Sequence, residues 1–116
     1  QTAAPLATSL QAGTASRFPN WEASFVDGAG GKTVLPSMWP LLSSLVDDSI
    51  VVPLKEVAHA MRLIAERTRV IAEGAAACAV AAALTGRAGS GKIVAIISGG
   101  NIDLQKFAAL TADGTD

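Results

Sequence analysis

The chain has 116 residues, half of them hydrophobic and 16% charged, apolar enough to build a core and short enough to be one domain or part of one. Nine basic residues against ten acidic ones, a formal net charge of −1, provide neither the basic stripe that nucleic acid requires nor a polybasic membrane anchor, so neither partner is expected. The longest apolar run, residues 75–84, is about half of the ~20 residues a bilayer-spanning helix needs.

The N-terminus reads as cut rather than begun: it has no initiator Met, charged leader or cleavage pattern. Residues 6–11 are compatible with a helix that Gly13 stops. A brief extended segment is expected to end at Ser24-Phe25-Val26-Asp27-Gly28, followed by the flexible Ala29-Gly30-Gly31-Lys32. A helix over 38–46 follows, with Ser37 as its N-cap and Asp47-Asp48 turning the chain, and then a strand over 49–52. Residues 54–67 form the clearest helix, and Pro53 is preset for its first turn. Leu54, Val57, Ala58, Met61, Ile64 and Ala65 share one face, and Lys55, Glu56, His59, Arg62 and Glu66 share the other. The only histidine, His59, therefore faces solvent, and no nucleophile beside it makes it a catalytic base. A second helical stretch over 70–85 breaks near Glu73-Gly74. Its alanine-rich part is expected to be buried against a neighbour. The single Cys78 inside it leaves no disulfide framework and no metal pair, which suits a buried structural thiol and a cytoplasmic protein.

Residues 92–97, Lys-Ile-Val-Ala-Ile-Ile, run straight into Ser98-Gly99-Gly100-Asn101-Ile102-Asp103-Leu104. Such an apolar run suits a central, parallel strand buried on both faces. It delivers one hydroxyl into a two-glycine turn that opens a helix, where backbone can approach a ligand closely. The element order helix, strand, helix, helix, strand, helix argues an α/β fold. Gly86-Arg87-Ala88-Gly89-Ser90-Gly91-Lys92 has the spacing of a phosphate-binding P-loop, but Ile93 stands where a Ser or Thr must ligate magnesium. That loop also follows a helix and opens a strand, the reverse of a P-loop, and is read as a helix C-terminal connection with glycines at positive φ. A central strand with few partners in its own chain leaves unpaired edges, so the isolated chain is expected to be insoluble or partly unfolded.

Four signals occur in one order: Asp27-Gly28; Trp39-Pro40-Leu41-Leu42 leading to Leu45-Val46-Asp47-Asp48; Ala72-Glu73-Gly74-Ala75 opening an alanine-rich helix; and the residues from Ser98 to Leu104. Their order and spacing resemble the C-terminal part of pyridoxal-phosphate enzymes of the tryptophan-synthase β fold type, in the serine/threonine dehydratase and serine racemase group. The resemblance implies that residues 1–116 are the C-terminal part of the large cofactor domain of a fold-type II enzyme, with a central, largely parallel sheet flanked by helices. It implies β-elimination of water from L-threonine or L-serine to a 2-oxo acid and ammonia, with pyridoxal 5′-phosphate as cofactor. None of Lys32, Lys55, Lys92 and Lys106 stands in the family's Ser-x-Lys-x-Arg motif for the Schiff-base lysine, and the glycine-rich loop for the cofactor phosphate is missing. The chain is thus expected to be non-catalytic alone, with the N-terminal portion of the enzyme as a separate chain, in a homodimer or homotetramer.

By the same resemblance Ser98 meets the pyridine nitrogen, where a neutral hydroxyl does not force protonation and moderates the electron sink. Gly28 lies against the ring's edge, Glu73 lies near the ring and its 3-oxygen, and Gly99, Gly100 and Asn101 aim Ser98, with Gly99 and Asn101 also candidates for direct cofactor contact. The competing role for Glu73 is a helix N-terminal carboxylate favoured by the dipole. The acidic ligand of members that bind a structural cation corresponds to Pro5, so no metal is expected. The chain ends soon after Asp103, without a following regulatory domain, which resembles catabolic dehydratases and racemases. Serine racemase and aryl-serine dehydratase activities, and a non-catalytic α/β binding module, are the alternatives.

Overall fold

A computed structural model describes residues 2–112, which fall into two units, Gln1–Val51 and Val52–Asp116. In the first, helix α1 (Pro5–Ala12) starts with Pro5, whose missing N–H costs nothing in the first turn, and ends at Gly13 with φ 71°. Both ends agree closely with the expected helix. Ser9 is completely buried. Its hydroxyl oxygen accepts the Ser16 N–H at 2.9 Å and donates to the Ser16 carbonyl at 3.4 Å, folding the chain back over its own helix. An isolated antiparallel bridge joins Arg17 to Thr33, beside bonds from Phe18 N–H to Lys32 (2.9 Å) and from Val34 N–H to Ser16 (3.3 Å).

The extended segment expected to end at Gly28 is instead a bend leading into a 3₁₀ turn, Asp27–Ala29. The Ser24 hydroxyl takes the Val26 N–H at 3.2 Å, a local bond that competes with strand pairing. Trp21 Nε1–H donates to the Gly30 carbonyl at 2.8 Å and the Lys32 ammonium lies 4.5 Å from the Trp21 ring centroid, holding the loop from both sides. Helix α2 (Trp39–Leu45) is capped by Met38 rather than Ser37, with no side-chain capping bond. The Met38 and Trp39 N–H groups already bond Leu35, at 2.9 and 3.1 Å, so the turn is wound before a hydroxyl at 37 has a donor to receive.

In the second unit, helix α3 (Leu54–Thr68) follows Pro53, which is the N-cap rather than the first helical residue. Its carbonyl accepts the Glu56 and Val57 N–H groups. Val57, Ala60, Met61 and Ile64 are buried and His59 is exposed, as the periodicity predicts, while Ala58 and Ala65 are half-buried. Arg69 closes the helix at φ 63°, a left-handed conformation that costs a non-glycine residue roughly 1 kcal/mol. Helix α4 (Gly74–Leu84) packs on α3 through Ala76, Ala77 and Ala81, all buried; such small side chains let helix axes approach closely. Cys78 is half-buried and its thiol donates to the Gly74 carbonyl at 3.3 Å. Helix α5 (Leu104–Ala112) packs on the same α3, where an Arg62 guanidinium N–H reaches the Thr111 carbonyl at 3.5 Å.

Between α4 and α5, Gly86, Gly89 and Gly91 have φ of 74°, 96° and 97°, the connection expected in place of a P-loop. The central parallel sheet is not found among the described residues, which contain no strand, at 49–52 or elsewhere. Residues 92–98 make no hydrogen bond among the described residues, and Val94 and Ile96 are 89% and 74% exposed. A strand exists only with a ladder partner, and within the described residues this apolar run has none. No helix of the described residues is long and apolar enough to cross a membrane.

Candidate functional site

Residues 71–73 and 98–101 meet at the N-terminal end of α4. The sequence changes there from exposed Val70 and Ile71 to a buried alanine-rich helix, and Glu73 is the N-cap at φ −74°, ψ 168°. Its carbonyl receives the Ala77 N–H at 3.0 Å, while its own N–H donates outward to the Gly99 carbonyl at 3.1 Å. The glycine turn is thereby tied to the start of the helix. A β-carbon at Gly100 would overlap the Ile71 carbonyl oxygen, so the two backbones meet with no room for a side chain.

The half-buried Glu73 side chain makes no capping bond to its own helix, although it stands at the N-cap, where the dipole favours a carboxylate. The carboxylate turns instead toward Gly99, where an added β-carbon would stand 2.7 Å from Oε1. Ser98 is exposed and its hydroxyl makes no hydrogen bond among the described residues. Asn101, also exposed, sits at the centre of a three-residue turn closed by the Ile102 N–H on the Gly100 carbonyl at 2.9 Å. Asp103 Oδ1 then accepts the N–H groups of Gln105 and Lys106, at 2.8 and 3.1 Å, capping α5 as Asp residues do.

The structure therefore brings Ser98, Gly99, Asn101 and Glu73 together within the second unit. Gly28 belongs to the first, exposed on its 3₁₀ turn. Sequence reasoning missed the backbone lock between Gly100 and Ile71 and the bond from Glu73 N–H to Gly99; the adjacent glycines were the only local signal of a close approach. An exposed hydroxyl and side-chain-free backbone on one turn, with one carboxylate beside it at the start of α4, fit a flat heteroaromatic group whose nitrogen interacts with the hydroxyl and whose face lies on the glycines.

Residues 1–99 match the family described as "Pyridoxal-phosphate dependent enzyme". The chain is 36% identical over 108 residues to an L-threonine ammonia-lyase of Geobacter sulfurreducens, covering 91% of this chain and 27% of that protein. It is 32% identical over 98 residues to the catabolic L-threonine dehydratase TdcB of Staphylococcus aureus, covering 80% of this chain and 28% of that one. It thus spans little more than a quarter of the length of these relatives. Among solved structures, the processed form of threonine deaminase isoform 2 from Solanum lycopersicum superposes with a TM-score of 0.85 at 27% identity, over 98% of this chain and 34% of that one. Maize serine racemase superposes with a TM-score of 0.80 at 30% identity, over 99% and 38%.

Proposed function

Because the chain belongs to the family of pyridoxal-phosphate dependent enzymes, we propose that it supplies the ring-binding turn of a dehydratase that removes water from L-threonine or L-serine, giving a 2-oxo acid and ammonia. The observation that carries this reading is the meeting of the Ser98 turn with Glu73 at the start of α4, in a chain similar to an L-threonine ammonia-lyase over 91% of its length. Bound pyridoxal phosphate supplies an electron sink for the substrate's α-carbon. This chain's residues hold and tune that group. Ser98 offers its hydroxyl to the ring nitrogen, and Glu73 sets a negative charge beside the ring. Gly99 and Gly100 keep side chains out of the ring's way, and Asn101 shapes the exit of the turn. The resemblance gives Gly28 a backbone contact at the ring's edge.

A neutral hydroxyl moderates the sink, because it holds the ring nitrogen without requiring it to carry a proton. Such tuning would suit loss of the substrate's β-hydroxyl. The base is a lysine outside residues 1–116, delivered with the phosphate-binding loop by the N-terminal portion of the enzyme. The likeness to maize serine racemase supports a second reading, in which the same turn serves inversion of serine.

The deciding experiment is a visible absorbance spectrum of the purified material, with the intact mass of every polypeptide in it. A yellow sample holding the lysine-bearing N-terminal portion, on the same or another polypeptide, and forming 2-oxo acid from L-threonine and L-serine, supports the dehydratase. D-serine as the main product selects the racemase. A preparation of this chain with the N-terminal portion of the enzyme that stays colourless after adding pyridoxal 5′-phosphate refutes both.

A further inference from the structure

The left-handed glycines of the described residues are Gly13, Gly86, Gly89 and Gly91; neither Gly99 nor Gly100 is among them. Backbone conformation therefore gives no reason for glycine at either position of the turn, and the reason lies in what surrounds each. At Gly100 the obstacle is main chain, the Ile71 carbonyl. At Gly99, apart from its chain neighbours, the heavy atoms of the described residues within 4 Å of an added β-carbon belong to one carboxyl group, Glu73 Oε1 at 2.7 Å and Cδ at 3.9 Å.

Glu73 had an alternative place to put that charge. It stands at the N-cap of α4, where a carboxylate ordinarily accepts the free N–H groups of the first turn and meets the positive end of the dipole, yet it makes no such bond. Its N–H is spent on the Gly99 carbonyl, which fixes its backbone beside the turn, and its side chain follows.

Resting on the cofactor reading above, we propose that Gly99 is a positioning residue that acts through Glu73: the missing side chain at 99 is the seat that keeps the carboxylate on the turn and off its own helix. A methyl group there pushes the carboxylate toward the N–H groups of α4. A flexible side chain moves at little cost, so Gly99→Ala alters where the charge points while the fold persists.

The test is a double-mutant cycle on the chain together with the N-terminal portion of the enzyme, comparing Gly99→Ala, Glu73→Ala and the pair by urea denaturation. In the Glu73→Ala background nothing stands in the way of the new methyl, and the restricted unfolded chain raises the midpoint by about 0.3 M urea. With Glu73 in place the shift differs from that value, because moving the carboxylate from the turn to the N–H groups of α4 adds its own free-energy change. Equal shifts in both backgrounds overturn the proposal. The second readout is titration of the same preparations with pyridoxal 5′-phosphate. Gly99→Ala and Glu73→Ala weaken binding by the same factor, and the pair by no more than either. If no variant and no parent binds the cofactor while the urea midpoints remain coupled, the cofactor reading fails and the seating of Glu73 by Gly99 stands.

Discussion

Gly100 lies so close to Ile71 that a β-carbon on the first would overlap the carbonyl oxygen of the second. Two stretches nearly thirty residues apart in sequence are thereby pressed together at main-chain level, and neither can give way by turning a side chain. Gly100→Ala is expected to cost about 1–3 kcal/mol, the scale of an overpacking change, read as a fall in the urea midpoint by far-UV circular dichroism in dilute solution. A midpoint equal to that of the parent would show that the turn moves freely against residues 71–73.

Met61 is the largest of the fully buried side chains, on the α3 face that meets α4 and α5. Truncating Met61→Ala leaves a cavity among neighbours that are already small alanines, and costs about 2–5 kcal/mol. Thermal denaturation followed at 222 nm checks this. A loss below about 1 kcal/mol would mean that the helices collapse into the space.

Residues 92–98 present a bare apolar edge among the described residues, with Val94 89% exposed. Unpaired strand edges recruit other chains. Val94→Lys with Ile96→Lys is therefore expected to shift the chain toward monomer in light scattering. Unchanged self-association would place the sticky surface elsewhere.

Burial lifts the Cys78 thiol pKa above its ordinary value. Below about pH 8.5 the thiol is protonated in folded and unfolded chains alike, and contributes no pH dependence. Above that, the unfolded chain releases the proton while the folded chain retains it, so stability falls as pH rises from the ordinary value toward the raised one. Urea midpoints at pH 7 and pH 10 should separate more in the parent than in Cys78→Ala, and iodoacetamide should react with folded Cys78 more slowly than with a free thiol at pH 8. Alkylation at the rate of free cysteine would contradict the burial.

Much of the second unit was legible because its helices carry their signals locally. The apolar spacing of Val57, Met61 and Ile64 survives as the buried face of α3, and Glu73-Gly74 does mark the start of α4. The errors arise where a competing local bond decides. Leu35 takes the donors a Ser37 cap would have used, and the Ser24 hydroxyl takes the Val26 N–H a strand would have needed. The apolar pattern of residues 92–97 has no ladder here, because pairing is a property of two segments and the sequence supplied one. At the site, Ser98 and Glu73 were visible as chemistry. The carboxylate's choice of Gly99 over its own helix was not, since it depends on a contact between segments 26 residues apart.

The bond from Trp21 to Gly30 and the Lys32 ammonium over the same ring make the loop that bears Gly28 optically visible. An indole that loses a hydrogen bond and a stacked cation changes its emission, so this residue is a native fluorophore for motions of that loop. With Trp39 replaced by Phe, Trp21 would be the sole indole, and the first unit could be followed in real time without adding a label.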